Sequence, residues 1–216
     1  MVKVKFCGIR RTEDIEAVNR LKPDFAGFVF AKSKRQVTKE QAAALKELLD
    51  PGIKTVAVLV NMPVEEAAAL ANTGIADLLQ LHGDEDAAYI AKLKTLTGAK
   101  IIKAIRLRSG DPEANAKLLT EAVQADYYLF DTFLPDTYGG TGKTFSLSLL
   151  NNLLIDKPFF LAGGLDADNV AEIIGQVQKD ATLLPFFYGG DVSGGIETGV
   201  VKDPIKMEAF MKAIRG

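Results

Sequence analysis

The sequence is poor in the residues that staple or metallate a fold. It has one cysteine and one histidine in 216 residues. The lone Cys7 excludes an intrachain disulfide and fits a reducing compartment. One histidine and one cysteine cannot build a His- or Cys-rich metal centre, so no metal is expected. Excess charge is also lacking: 26 basic residues face 28 acidic ones, for a formal net charge of −2. Neither nucleic acid nor an anionic membrane is expected as the main partner. Long apolar runs are missing too. Phe25 to Ala31 and Val56 to Val60 have the length of strands, far short of a bilayer span. The opening Met1-Val-Lys-Val-Lys-Phe alternates charged and apolar residues and has no signal-peptide core. The expectation is a cytoplasmic protein. No Pro/Gly/Ser-rich linker or low-complexity stretch divides the chain, so residues 1–216 are expected to form one domain.

What the sequence does have is an alternation of two textures. Short apolar, β-rich runs occur at Val4–Cys7, Phe25–Phe30, Thr55–Val60, Leu78–Leu81, Ile101–Ile105, Tyr127–Phe130, Phe159–Ala162 and roughly Phe186–Val192. Parallel strands covered by helices on their outer face read this way. The segments between them carry helical spacing. Thr12 is the expected N-cap before Ile15, Val18 and Leu21, and Thr38 the cap before Ala42, Leu45 and Leu48. Asp84 stands ahead of Ala88, Ala91 and Leu93, and Pro112 suits a first helical turn. Asp166 or Asp168 can cap a helix through Val170, Ile173 and Ile174, and Pro204 opens the last helix. Eight strand–helix units predict an α/β fold, a (β/α)₈ TIM barrel, near the lower end of the ~200 to more than 400 residues such barrels span. A doubly wound sheet would need fewer strands and a dinucleotide-binding loop, and the sequence offers no such loop.

In that architecture the active site gathers at the C-terminal ends of the strands. Gly163-Gly164 and Ser193-Gly194-Gly195 follow the seventh and eighth strands, where these barrels often bind phosphate through backbone N–H groups. One glycine pair alone would read as a tight turn, but two loops at the two expected positions favour a phosphorylated small molecule held by local donors. Cys7 ends the first strand. It is either a small buried apolar residue or, given its place, a base or nucleophile activated by cations such as Lys5 or Arg10. Asp131 ends the sixth strand and is either a loop cap or an acid that exchanges a proton with a substrate oxygen. Arg35, read alone, is a solvated surface charge; a guanidinium there can also grip a carboxylate. His82, after Gln80 and Leu81, is a secondary candidate that could simply bond its neighbouring loop. Tyr138-Gly-Gly-Thr-Gly-Lys143 lacks the spacing of a Walker A loop and reads as a glycine-rich lid.

Several segments stand in order across nearly the whole chain: Lys5-Phe-Cys-Gly-Ile-Arg10, Gly27-Phe-Val-Phe30, Ser33-Lys-Arg35, Val58-Leu-Val-Asn61, Gln80-Leu-His-Gly-Asp84, Lys103-Ala-Ile-Arg106, Asp131 with Tyr138-Gly-Gly-Thr-Gly-Lys-Thr-Phe145, Leu161-Ala-Gly-Gly-Leu165, and Asp191-Val-Ser-Gly-Gly-Ile-Glu197 with Gly199-Val-Val-Lys-Asp203. Taken together they resemble the phosphoribosylanthranilate isomerase family of tryptophan biosynthesis. Each is weak alone; the ordered set is specific. The resemblance implies an Amadori rearrangement of N-(5-phosphoribosyl)anthranilate without cofactor or metal. It implies Cys7 as general base, Asp131 as general acid and Arg35 near the anthranilate carboxylate. Phosphate would fall to Gly163, Gly164, Ser193, Gly194 and Gly195, with Lys5, Gln80, His82 and Asp191 completing the substrate-binding set. The expected partners are the small phosphorylated substrate and, at most, a second copy of the chain.

The family usually reads Asp-Val-Ser-Ser-Gly at the eighth strand; Gly194 replaces the second serine, and since backbone N–H groups can remain, weakened phosphate binding is expected at most. Pro185-Phe-Phe-Tyr-Gly-Gly190 also departs from the usual valine-bearing approach. Two rivals remain. Another phosphosugar enzyme on the same barrel is one, although the histidine-pathway isomerase would have aspartate at Cys7 and the epimerases generally use a metal. A non-catalytic phosphosugar binder is the other.

Overall fold

The computed structural model describes residues 1–108, 111–132, 147–150 and 153–216. Eight strands pair in parallel in chain order and close on themselves. They are β1 (Lys3–Cys7), β2 (Phe25–Val29), β3 (Lys54–Leu59), β4 (Leu78–Leu81), β5 (Lys100–Leu107), β6 (Tyr127–Thr132), β7 (Phe159–Ala162) and β8 (Phe187–Val192). Seven α-helices lie among the described residues: α1 (Thr12–Leu21), α2 (Lys39–Glu47), α3 (Val64–Asn72), α4 (Ala87–Leu96), α5 (Pro112–Glu121), α6 (Val170–Lys179) and α7 (Pro204–Arg215). The predicted TIM barrel is thus the observed fold. A hairpin of β9 (Glu197–Thr198) and β10 (Val201–Lys202) is added after β8.

Alternation of side chains along each strand divides the core in two. Inside the barrel, Phe25, Val56, Leu78, Ile102, Ala104, Leu129, Phe160 and Ala162 pack together, with Tyr127 and Tyr188 against them. The other face of each strand meets the apolar stripes of the helices; Phe6 of β1, for example, lies edge-on to Phe210 of α7. One irregularity sets up the site. Between β7 and β8 the register steps from Phe159↔Phe187 to Phe160↔Gly189, so Tyr188 has no partner. This bulge turns Tyr188 into the barrel floor, against Phe25, Tyr127 and Phe160. It also resets the alternation, so that Gly190 faces Ile214 and Phe210 while Asp191 faces inward.

Several sequence expectations shift. Strand β8 starts at Phe187; Phe186 belongs to the preceding turn, its N–H donating to Leu183 O. Helix α1 is capped at Arg11, where Asp14 accepts the Arg11 N–H, and Thr12 is already helical. Thr38 caps α2 as expected, with Gln41 returning the bond. For α4 the cap is Asp86, two residues past Asp84. For α6 the cap position is Asn169; Asp166 instead accepts the N–H groups of Asp168 and Asn169 in the turn before it. Between β6 and β7 the described residues hold a single 3₁₀ turn at Leu147–Leu150 in place of the expected helix, and the predicted lid at Tyr138–Lys143 lies outside them. No helix among the described residues is long and apolar enough to cross a membrane.

Candidate active site

The inward positions at the C-terminal ends of the strands bring most of the predicted residues to one mouth. On β1 these are Lys5 and Cys7. Lys5 is fully buried and its Nζ lies 2.8 Å from Asp191 Oδ1 on β8. Cys7 pairs in register with Gly27 of β2. A Cβ built on Gly27 would sit 3.2 Å from both Cys7 Sγ and Lys5 Nζ, so the missing side chain leaves room for thiol and ammonium to converge. The sequence signal for this was glycine inside an apolar strand, which marks a close approach.

The electrostatics differ from expectation. Burial pushes the Cys7 thiol above its ordinary value; the charges of Lys5 and Lys202 oppose this and do not offset it. Burial thus favours the thiol over the thiolate at Cys7, against the expected activation by cations. Lys5 itself stays charged. Burial works against it, but the Asp191 carboxylate outweighs burial and holds its ammonium above the ordinary lysine range. Arg10, the other suggested cation, points away and donates to Val200 O on the β9–β10 turn.

Asp131 stands on β6, in register with Ala162 of β7. Its Oδ2 lies 3.2 Å from His82 Nε2, and His82 Nδ1 lies 2.9 Å from Gln80 Nε2. Gln80, His82 and Asp131 thus form one chain. The backbone of His82 is fixed on both sides: its N–H donates to Leu59 O at 2.8 Å and its carbonyl accepts from Arg106 Nη2. Just beyond, the buried Glu85 carboxylate accepts the N–H groups of Asn61 and Gly83 and the ammonium of Lys103 at 2.7–2.9 Å. One carboxylate ties the loops after β3 and β4 to β5. Sequence reasoning missed Glu85 and met Lys103 only as a member of a motif.

Arg35 is no solvated surface charge. Its Nε and Nη2 make two 2.7 Å bonds to Glu197 of β9, a planar fork-to-carboxylate pairing. Glu197 also accepts from Lys202 Nζ of β10 at 2.7 Å. Burial opposes ionisation of Glu197, but the bonds from Arg35 and Lys202 outweigh it and hold the carboxyl below the usual range. Lys202 reaches on to Ser193 O at 2.9 Å and Ser193 Oγ at 3.3 Å. Ser193 Oγ in turn donates to Cys7 O at 3.0 Å. Gly194–Ile196 form a 3₁₀ turn whose leading N–H groups lack intrahelical acceptors. Gly163 and Gly164 both adopt positive φ, at 84° and 69°. The two glycine loops touch, since Gly195 backs directly onto Leu165 O. They form one continuous glycine-rich rim, with Arg35 and Lys202 beside it. Glu197 and Lys202 were legible only as members of a motif.

The site thus carries a carboxyl group on β6, a thiol beside an ammonium on β1, and a glycine-rich rim on β7 and β8. The family model of N-(5′-phosphoribosyl)anthranilate (PRA) isomerase matches residues 4–213. The chain belongs to that family. As a PRA isomerase family member it is an isomerase. It is 48% identical over 216 residues to the N-(5′-phosphoribosyl)anthranilate isomerase of a Thermoanaerobacter species, covering 100% of this chain and 99% of the relative. Its fold is similar to the phosphoribosylanthranilate isomerase structure from Thermotoga maritima, with a TM-score of 0.83, 32% identity and full coverage of both chains. A further family structure, similar at a TM-score of 0.79 with 28% identity and full coverage of both chains, is a complex with reduced 1-(o-carboxyphenylamino)-1-deoxyribulose 5-phosphate.

Proposed function

We propose that this chain converts N-(5′-phosphoribosyl)anthranilate to 1-(2-carboxyphenylamino)-1-deoxyribulose 5-phosphate, with Asp131 as general acid and Cys7 as general base. The ring order of the strands carries this reading. Strands β7 and β8 lie between β6 and β1. A phosphate anchored on the glycine loops would leave the sugar flanked by Asp131 on one side and Cys7 on the other. An acid and a base approaching from different sides is what the reaction requires.

Asp131 donates its proton to the furanose ring oxygen. The C1′–O bond breaks, the nitrogen lone pair forms a protonated imine, and the positive charge acidifies the hydrogen on C2′. Cys7 first gives up its thiol proton to solvent and then, as thiolate, takes the C2′ proton. The resulting enolamine gains a proton at C1′ and loses the one on its 2′ oxygen, giving the ketone, so atoms balance with no cofactor. The raised thiol value fits this order of events, because the imine cation forms beside Cys7 and lowers the cost of the thiolate when it is needed. Lys5 is the fixed counter-charge of that thiolate, and Asp191, which itself opposes the anion, holds Lys5 in place and charged. Arg35, with Nε and Nη2 held by Glu197, offers its remaining Nη1 to the anthranilate carboxylate.

The test generates the substrate in situ, adds protein with EDTA, and follows loss of anthranilate-type fluorescence. Cys7→Ser and Asp131→Asn should each lower kcat by roughly 10²–10⁴. Near-normal turnover in both would remove the role assignment; saturable ligand binding without turnover by the parent chain would favour a phosphosugar binder.

A further inference from the structure

The sequence contains a single histidine, and both of its ring nitrogens are engaged. Gln80 lies buried on β4, between Val58 of β3 and Ile102 of β5, and directs Nε2 at His82 Nδ1 at 2.9 Å. Its Oε1 is buried without a partner among the described residues. Turning the amide round would strand an NH₂ group with two donors instead, and an unpaired N–H is tolerated less readily than an under-satisfied carbonyl. It would also demand a proton on Nδ1, which in a neutral ring aims the bare Nε2 lone pair at Asp131 Oδ2. For an uncharged ring both considerations select one arrangement: Gln80 donates to Nδ1, and Nε2–H donates to Asp131.

We propose that His82 is a positioning residue for Asp131, fixed as the Nε2–H tautomer by Gln80 so that its donation to Oδ2 confines the transferable acid proton to Oδ1. The proposal rests on the reading of Asp131 as general acid. A carboxylic acid free to carry its proton on either oxygen presents it to the substrate in only part of its population. With Oδ2 permanently accepting from His82, the proton has one site. After transfer the same N–H stabilises the carboxylate left behind, and that bond strengthens as charge develops on Asp131. The bonds from His82 N–H to Leu59 O and from Arg106 Nη2 to His82 O fix the backbone that carries the ring.

The first measurement needs no variant. In uniformly ¹⁵N-labelled protein, long-range ¹H–¹⁵N correlation spectra contain one imidazole, so assignment is immediate. At the pH of the turnover assay, Nδ1 should show the shift of an unprotonated ring nitrogen and Nε2 that of a protonated one. The reverse tautomer, or protons on both nitrogens, overturns the proposal. The second measurement separates it from a packing role. His82→Leu should lower kcat roughly 10- to 100-fold with KM within about threefold. His82→Gln, whose side-chain N–H reaches as far as Nε2, should recover most of that loss. A folded His82→Leu with unchanged kcat overturns the positioning role. Asp131→Asn, assayed alongside, distinguishes the two readings. If it retains turnover, the acid assignment falls and the positioning role with it. If it is inactive while His82→Leu is not, the positioning role falls alone.

Discussion

At Cys7 the fold sets two demands against each other: the base we propose there must be able to ionise, and burial makes the anion costly. Because burial raises the thiol's value, the thiolate fraction at a given pH is lower than for an exposed cysteine. Alkylation of Cys7 by iodoacetamide should therefore keep rising with pH beyond the ordinary thiol value of about 8.5. Stopped-flow labelling across pH 6–10 checks this, and a plateau below about 8.5 would contradict the burial argument. The proteins' single cysteine makes the label unambiguous. At this scale the sequence was legible where chemistry depends on position along a strand. Cys7, Asp131 and the glycine pairs announce themselves by following apolar runs. It was silent where chemistry depends on pairing. Arg35 and Glu197 are 162 residues apart, so no local pattern could tell a bidentate pair from a solvated charge.

Elements are positioned by buried charges that their own sequences do not reveal. Glu85 holds the loop carrying His82 by accepting from Asn61, Gly83 and Lys103. Removing the cation leaves a buried carboxylate without its counter-charge. Lys103→Met is expected to cost about 3–5 kcal/mol, measured as a lowered urea midpoint. A change below about 1 kcal/mol would mean that the two backbone N–H groups suffice. The same cluster explains a misplaced helix start. Asp84, Glu85 and Asp86 are three consecutive acids, each a plausible choice near a helix N-terminus. Glu85 is taken by the loops, Asp84 bonds Asn61, and Asp86 is left to cap α4. Between β6 and β7 the described residues again depart from the eight-fold pattern, which invites a helix in every gap: they hold only the 3₁₀ turn Leu147–Leu150.

For the whole molecule, the apolar texture of eight runs was enough to read a barrel, since burial on both faces is written into each strand separately. Closure is a different matter and depends on β1 meeting β8. Lys3 pairs with Gly189 there, and a Cβ on Gly189 would lie 2.1 Å from Lys3 O. Gly189→Ala is expected to destabilise the protein by at least ~2 kcal/mol, because the clash is with backbone at the closing seam. Gly175→Ala in α6 is its control. Nothing lies within 4 Å of that site, and alanine there should stabilise by about 0.5–1 kcal/mol. Urea unfolding of both variants decides the matter; equal midpoints would show that the seam relaxes freely.

The seam also joins the buried ammonium to its counter-ion: Lys5 and Asp191 are 186 residues apart. During synthesis β1 emerges first and β8 nearly last. Until Asp191 has left the ribosome, Lys5 has no carboxylate, Ser193 cannot bond Cys7 O, and the thiol lies open to water and to electrophiles. A nascent chain stalled before β8 is thus a reactive thiol without a fold, and the finished protein is a shielded one. Accessibility of this one sulfur to a maleimide is a clock for translation and closure, readable on a polysome without any assay of turnover.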